Sequence, residues 1–230
     1  MGIVAPGFPA SIVLELTRIH PIGFFVETGT FKGETTLWAA THFDHVHTIE
    51  LSPALFERNT QTFSRVSNIT PHLGDSRSKL PVVLDTMGEQ PGLFWLDGHW
   101  SSGVTAGAED ECPLLDELAL LAHRSEDLIL IDDARFFLGA PPAPHDPACW
   151  PTLADIVHAL PRQGGESFVQ IIDDVIFVVP RKLALIEALI GYARQRPRAW
   201  QATPQNGLLK KPDSLGRRVG RKVRSLLAKM

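Results

Sequence analysis

Segments with strand-like and helix-like spacing of apolar residues alternate along most of the chain. Short β-rich runs are separated by stretches whose apolar residues recur at helical spacing, the pattern of strands that are joined through helices. The fully apolar run at residues 128–131 is typical of a central parallel strand that helices cover on both faces. We therefore predict an α/β fold with a doubly wound, mostly parallel sheet.

The positions of these elements follow from the same pattern. Strands are predicted at residues 23–27, 45–51, 69–74, 93–97 and 128–132. Helices are predicted at residues 11–19, 35–41, 53–66, 78–87, 113–123 and 152–160. Two more β-rich runs, 168–172 and 175–179, flank the turn residues Asp173 and Asp174, which is typical of an antiparallel hairpin. Residues 135–151 contain five prolines and no periodicity, so a long loop is predicted there.

Length and composition fit one α/β domain with an appendage, since 230 residues can bury a substantial core. A hydrophobic fraction of 44% and a mean hydropathy of +0.02 are those of a globular protein, neither disordered nor membrane-spanning. The start of the chain has no basic segment followed by an apolar core, so no signal peptide is predicted. The two cysteines, Cys112 and Cys149, are too few for a disulfide framework or a thiolate zinc site. We expect a cytoplasmic protein.

The net charge of −4 conceals a basic carboxyl-terminal segment. Residues 210–230 contain eight lysines and arginines against one acid, Asp213, so the rest of the chain is strongly acidic. We predict a domain at residues 1–200 and a basic tail at residues 201–230. Within the tail, residues 215–230 have the spacing of an amphipathic basic helix, which would bind an anionic surface such as a membrane. A solvated tail that only keeps the protein soluble is the alternative.

The most informative segment is VETGTFKGETT, at residues 26–36. Glu27 closes the first predicted strand, Gly29 and Gly33 follow it, and a predicted helix begins close behind. Glycines let the backbone turn tightly and let a ligand approach it, while a helix start presents free N–H groups. A carboxylate disfavours a pyrophosphate and favours a ligand with positive charge or hydroxyl groups. S-adenosylmethionine has both, which is the first reason to suspect a methyltransferase. Glu50, at the end of the second strand, would lie beside this turn and accept the ribose hydroxyls; a plain surface acid is the alternative.

A second cluster of acids is predicted at the ends of strands four and five. Asp97 closes the fourth strand, and Asp132 and Asp133 close the fifth. Neighbouring parallel strands lie about 4.8 Å apart, so these carboxylates converge and repel one another. A divalent ion such as Mg²⁺ would relieve the repulsion and lower the pKa of a bound hydroxyl. The alternative is that one acid is the catalytic base while the others cap helices or pair with Arg135.

The histidines differ in whether a carboxylate partner is predicted for them. His99 lies two residues after Asp97, where a neutral imidazole would take the proton of an acceptor hydroxyl, so His99 and Asp97 are the predicted catalytic residues. A structural or solvated histidine is the alternative for His99. His42, His45 and His47 lack a carboxylate partner and are interpreted as structural or surface residues.

Other candidates lie on the acceptor side. The small-residue loop at 100–111 offers Thr105, Glu109, Asp110 and Glu111 as substrate contacts, although its acids equally suit the dipole of the next helix. The remaining candidates are His145 and Asp146 as a lid, and Phe136, Phe137 and Trp150 as an aromatic wall, for which core packing is the default.

With these motifs placed, residues 11–180 resemble the class I S-adenosylmethionine-dependent methyltransferases. The motif I of that family is acid-x-Gly-x-Gly-x-Gly; here Glu27, Gly29 and Gly33 match it, and Phe31 stands at the middle glycine. The form E-x-G-T-x-x-G is that of a subgroup acting on small molecules and sugars. Within it, the chain looks most like the macrocin and cephalosporin-type O-methyltransferases, whose metal site uses acids after strands four and five.

The resemblance implies a seven-stranded sheet of order 3-2-1-4-5-7-6 with strand 7 antiparallel, S-adenosylmethionine as cofactor, and Mg²⁺. It implies that Asp75 or Ser76 faces the adenine, although a Gly-Asp-Ser turn is also common for structural reasons. The implied cofactor contacts are Glu27, Thr28, Gly29, Thr30, Gly33, Glu50, Asp75, Ser76 and Asp97. The implied metal ligands are Asp97, Asp132 and Asp133.

The leading hypothesis is therefore methyl transfer to a hydroxyl of a small molecule or sugar. We predict no specific nucleic-acid partner and leave homo-oligomerisation and a peripheral membrane location open. One alternative is an NAD-dependent oxidoreductase, which needs a Gly-x-Gly-x-x-Gly turn that this sequence lacks. The other is a non-catalytic binding or scaffold protein whose basic tail is the working part; the intact acids at the strand ends count against it.

Overall fold

The structure is a computed structural model that describes residues 7–100, 107, 110–160 and 167–202, with side chains described up to residue 196. The chain divides into two compact units, Met1–Ala193 and Arg194–Met230. The second unit contains the end of the last helix. Its predicted amphipathic helix at 215–230 lies outside the described residues, as do Thr105 and Glu109. The predicted boundary at residue 200 stays a prediction.

Seven strands form one sheet in the order β3-β2-β1-β4-β5-β7-β6. The strands β1 to β5 pair in parallel, and β7 is antiparallel to both β5 and β6. This confirms the predicted order and the antiparallel seventh strand. The strands are β1 Phe24–Thr28, β2 His45–Glu50, β3 Ile69–Leu73, β4 Gly92–Leu96, β5 Leu128–Ile131, β6 Ser167–Ile172 and β7 Val175–Pro180.

Helices cover both faces of the sheet, and no described helix has the length and apolar character needed to span a membrane. The helix α4 begins two residues before the predicted start because Asp75 caps it, accepting a hydrogen bond from the backbone N–H of Arg77. The sequence predicts no element between the hairpin and the basic tail, whereas the structure has the long helix α7 there. The helices are α1 Ala10–Ile19, α2 Glu34–Ala39, α3 Pro53–Phe63, α4 Ser76–Met87, α5 Leu114–Leu120, α6 Leu153–Ala159 and α7 Leu183–Ala202.

The core has two halves, one on each face of the sheet. Alternate strand residues point to opposite faces, so Phe25 packs into the half formed with α1, α2, α3 and α7. Its neighbour Val26 packs into the half formed with α4, α5 and α6. All residues of β1, β4, β5 and β7 are buried. Because the strands themselves are committed to the core, chemistry is left to the loops at the carboxyl ends of β1, β2, β4 and β5.

Candidate active site

The turn after β1 packs against two other elements through its glycines. Gly29 has φ +88°, and a Cβ placed on it would lie 2.1 Å from the carbonyl oxygen of Asp97. Gly33 has φ +77°, and its Cβ would lie 2.6 Å from the ring of Phe63 in α3. The sequence predicts a ligand beside the two glycines, whereas Asp97 and Phe63 fill the space there. Contact of the two glycines with a cofactor stays a prediction.

Phe31, at the middle-glycine position of the motif, takes the left-handed backbone that a glycine would take, with φ +46°. Left-handed backbone costs a residue with a Cβ about 1–2 kcal/mol. Hydrogen bonds on both sides hold it: the N–H of Phe31 donates to Glu50 (2.9 Å), and its carbonyl accepts from Arg58 (2.9 Å) and Asn59 (2.7 Å). The turn therefore keeps its shape without the third glycine, and the Phe31 ring is left 43% exposed at the rim.

Glu27 is buried at the end of β1 and bonded by two hydroxyl groups. Thr36 of α2 donates to its carboxylate at 2.5 Å and Thr48 of β2 donates at 2.7 Å. Burial raises the pKa of Glu27 to about 7, against the lowering effect of the two hydroxyls, and the nearby carboxylate of Glu50 raises it further. A cationic group bound beside Glu27 would favour its ionised form.

Glu50 lies beside the glycine turn, where the sequence analysis expected it. Its two carboxylate oxygens accept the backbone N–H groups of Phe31 (2.9 Å) and Ser52 (2.8 Å). The side chain is therefore fixed in place and buried. Its binding of ribose hydroxyls stays a prediction.

Asp75 and Ser76 are where α4 begins, and both make contacts within the protein. The guanidinium of Arg77 pairs with Asp75 at 2.6 Å and also reaches Asp110 at 2.5 Å. Hydrogen bonds from Arg77 hold the pKa of Asp75 below its usual range. Asp110 was a candidate substrate contact, and in the structure it is the partner of Arg77. Facing the adenine stays a prediction for Asp75 and Ser76.

The acids after β4 and β5 lie close enough to affect one another's ionisation. Burial raises the pKa of Asp97 well above its usual range, and Asp132, Asp133 and Glu27 raise it further. Burial, and then Asp133, raises the pKa of Asp132 to about 6. The convergence expected from neighbouring strand ends is thus present.

Asp174, at the hairpin turn, joins this cluster, although the sequence analysis treated it only as a turn residue. Carboxylate oxygens of Asp132, Asp133 and Asp174 lie within 4.8 Å of one another, close enough to hold one metal ion. The guanidinium of Arg135 lies 2.6 Å from Asp133 and also contacts Asp174. The pairing with Arg135 that the sequence left as an alternative is therefore present for Asp133.

His99 is buried inside this acidic group. Its Nε2 lies 3.4 Å from a carboxylate oxygen of Asp133 and 3.6 Å from one of Asp97. Within the described part of the chain, neither ring nitrogen of His99 has a hydrogen-bond partner. Burial lowers the pKa of the imidazole, against the raising effect of Asp133. A neutral imidazole that faces carboxylates is suited to accept a proton, and its role as the base stays a prediction.

Glu111 anchors the proline-rich loop at 135–151. Its buried carboxylate accepts hydrogen bonds from Trp150 Nε1 (2.7 Å) and the backbone N–H of Asp146 (3.0 Å), and it pairs with His145 Nδ1 (3.0 Å). Burial would raise the pKa of Glu111, but these hydrogen bonds lower it below its usual range. Glu111 and His145, considered as substrate contact and lid, thus hold the loop to the segment that follows β4. Trp150 is buried, in line with the default of core packing.

Glu117 of α5 is a residue that the sequence analysis missed. It is 1% exposed, and the hydroxyls of Thr28 and Ser76 donate to its carboxylate. Burial raises its pKa to about 7. The sequence contains a signal for this residue. Positions 114, 117, 118 and 121 form the apolar stripe of α5; position 117 is an acid, and the other three are leucines. A charged residue at a core position indicates a specific role.

Comparison with known proteins supports the fold. No family model matches the chain, and no curated protein matches it in sequence. Among solved structures, it is similar to a provisionally assigned caffeoyl-CoA O-methyltransferase from Staphylococcus aureus, with a TM-score of 0.50 and 16% identity over 76% of this chain and 86% of that one. A provisionally assigned methyltransferase from Streptococcus mutans, in complex with S-adenosylhomocysteine, gives a TM-score of 0.47 and 10% identity over 76% and 98% of the two chains.

Proposed function

We propose that this protein is an S-adenosylmethionine-dependent methyltransferase that acts on a hydroxyl group of a small molecule or sugar with the help of a divalent metal ion. The observation that carries the proposal is that the site at the carboxyl ends of the strands has two halves. Glu27 and Glu50 surround the glycine turn at the ends of β1 and β2. Asp97 and His99 follow β4, and Asp132 follows β5; these residues form the second half.

The first half suits a cationic nucleoside. Glu27 is held partly protonated by burial, so a sulfonium or ammonium group nearby would gain a full carboxylate partner. Glu50 already accepts two backbone N–H groups, but each carboxylate oxygen has a second lone pair for a ribose hydroxyl. A pyrophosphate, as in NAD, would meet these two carboxylates and be repelled.

The second half suits a hard divalent cation. The donors are all carboxylate oxygens, and burial, followed by the repulsion of neighbouring carboxylates, raises the pKa of Asp97 and Asp132. Asp132, Asp133 and Asp174 would hold the ion, with Asp133 and Asp174 shared with Arg135. Asp97, which the sequence predicts as a ligand, is not part of this group among the described residues. A bound Mg²⁺ would lower the pKa of the acceptor hydroxyl.

His99 completes the reaction as the proton acceptor. The acceptor oxygen forms a bond to the methyl carbon while the bond from that carbon to sulfur breaks, in line, which leaves S-adenosylhomocysteine. The hydroxyl proton passes to the imidazole of His99, which burial keeps neutral beforehand. The chain contributes position and proton transfer, which is the work that a displacement of this kind requires.

S-adenosylhomocysteine is expected to stabilise the protein against heat. At about 100 times its dissociation constant, a ligand that binds the native state adds about 2.7 kcal/mol, which raises the Tm of a protein of this size by about 5–10 °C. Differential scanning fluorimetry with S-adenosylhomocysteine, NAD and buffer measures this. A shift with NAD alone would favour the oxidoreductase, and no shift with either ligand would favour the scaffold protein.

Mg²⁺ is expected to raise the Tm further, and Asp132→Asn is expected to remove that metal response while the shift with S-adenosylhomocysteine remains. The reason is that Asp132 contributes to the acidic cluster but makes no described contact with the turn at 29–33. Asp85→Asn, an exposed acid on α4, is the matched control and should respond like the wild type. If Asp132→Asn lost both responses equally, the separation into two halves would be wrong.

Three further features of this function are proposals from the sequence. They are the small-molecule or sugar acceptor, an anionic surface as partner of the basic tail, and a homo-oligomeric state.

A further inference from the structure

A small cavity lies behind His99, on the side of the sheet that carries α5. Its wall includes His99, Gly98, Cys112, Leu114, Glu117 and Phe137. The space suffices for about one water molecule. Leucine and phenylalanine side chains form part of the wall, so the polar groups that face it must find partners inside it or go without.

Two polar side chains on this wall carry atoms without partners. Among the described residues, Oε1 of Glu117 is buried without a hydrogen-bond partner, and so are both ring nitrogens of His99. Both residues are more than nine-tenths buried. Gly98 makes the room for Glu117: a Cβ on Gly98 would lie 3.1 Å from Oε1 of Glu117 and 3.1 Å from the hydroxyl oxygen of Thr28.

We propose that this cavity holds one ordered water molecule that bridges Glu117 and His99, and that Glu117 is a positioning residue for the imidazole. Buried polar groups in native proteins are almost always bonded, and buried waters typically make about three hydrogen bonds to such groups. Cys112 offers a third contact for the water, because burial raises its thiol pKa to about 12 and keeps the S–H proton in place.

The bridge joins the two halves of the site. The carboxylate of Glu117 accepts the hydroxyls of Thr28, at the end of β1, and Ser76, at the start of α4. The water would bond both this carboxylate and a ring nitrogen of His99, so Glu117 would fix the orientation of the imidazole. Nε2 of that imidazole faces Asp97 and Asp133. A fixed hydrogen bond on one ring nitrogen sets the tautomer and the orientation of an imidazole. The part of this inference that concerns cofactor binding rests on the function proposed above; the water site does not.

A crystal structure of the wild-type protein tests the water site directly. We expect one water molecule within hydrogen-bond distance of both Glu117 Oε1 and a ring nitrogen of His99. An empty cavity, or a water bonded to one of the two residues alone, would overturn the proposal.

The positioning role is tested with Glu117→Gln and Glu117→Leu. Glutamine keeps an oxygen that accepts hydrogen bonds, so the ¹⁵N shifts of the His99 ring, assigned by their loss in His99→Gln, should stay close to those of the wild type. Leucine removes the acceptor, so those shifts should change and the affinity for S-adenosylhomocysteine should fall by about tenfold. Asp127→Asn is the matched control. Asp127 is also buried and is bonded to Gly92 and Arg124, but it lies at the amino ends of β4 and β5, away from the site.

The control separates positioning from general stability. Asp127→Asn should lower the Tm while leaving the His99 shifts unchanged and the affinity within about twofold. If Glu117→Leu behaved in the same way, Glu117 would be a purely structural residue and the proposal would be wrong. If the wild type itself did not bind S-adenosylhomocysteine, the proposed function would fail, whereas the crystal structure and the ring shifts would still decide the water bridge.

Discussion

Gly29→Ala is expected to destabilise the protein by about 3 kcal/mol or more, which corresponds to a fall in Tm of roughly 6–12 °C. Alanine at φ +88° has a strained backbone. In addition, its Cβ would lie 2.1 Å from the carbonyl oxygen of Asp97, which is backbone and cannot rotate away. The turn after β1 and the end of β4 must therefore separate. Thermal and urea denaturation of the purified variant measure the loss.

Two other glycines separate the two causes of this loss of stability, the backbone strain and the clash with Asp97. Gly88 also has a positive φ, +55°, but a Cβ there would meet no atom within 4 Å, so Gly88→Ala reports the backbone strain alone. Gly139 has open space and no positive φ, so Gly139→Ala should be close to neutral. We expect Gly29→Ala to cost clearly more than Gly88→Ala. Equal losses would mean that the close approach to Asp97 does not exist.

Glu111→Leu is expected to cost about 3–5 kcal/mol, because it leaves the N–H groups of Trp150 and Asp146 and the ring of His145 without their buried acceptor. Unfolding of the variant should begin in the proline-rich loop. Hydrogen exchange of residues 142–150 should become faster, while amides of the central strands keep their protection. Mass spectrometry of deuterium uptake, combined with thermal denaturation, measures both effects.

The neighbouring Asp110→Asn is the control for this prediction. Asp110 is exposed and pairs with Arg77 on the surface, so its loss should cost at most about 1 kcal/mol and should not change exchange in the loop. Because the pKa of Glu111 is lowered in the folded state, its stabilising contribution is present at neutral pH and is lost as the pH falls through that pKa. If Glu111→Leu left the exchange of 142–150 unchanged, Glu111 would not anchor the loop.

The sheet could be predicted from sequence because its signals are local and repeated. The strands β4 and β5 are short apolar runs, and stretches with helical spacing alternate with the strands along the chain. The pair of aspartates at 173–174 marked the hairpin that brings in β7. Strand order came from the resemblance to a known family, and the structure bears it out. The helix α7 was missed although Leu185, Ala188 and Leu189 form its buried stripe, because no cap or turn motif marked its start.

The candidate site was only partly predictable, for a physical reason. Strand ends fix where Glu27, Glu50, Asp97 and Asp132 lie, since a parallel sheet brings its carboxyl ends to one edge. What a side chain contacts there depends on residues far away in sequence. The space beside Gly29 is filled by Asp97, 68 positions later in the sequence.

Acids with long-range partners were misjudged for the same reason. Glu111 looked like a substrate contact because its partners His145 and Trp150 lie beyond α5 and β5 in the sequence. Asp174 looked like a turn residue because the antiparallel return of β7 is what carries it to Asp132. Glu117 alone could have been found, as an acid within an apolar stripe.

The contact between Gly29 and the Asp97 carbonyl limits how the loops of this candidate site can be exchanged. Residues 97–99 cannot be replaced alone by a segment from another protein. The main chain of that segment would have to fit against the turn at residues 28–33. Grafts should exchange residues 28–33 and 97–99 together. The proline-rich loop is the better place for a randomised library, provided that its anchor residues His145, Asp146 and Trp150 are kept.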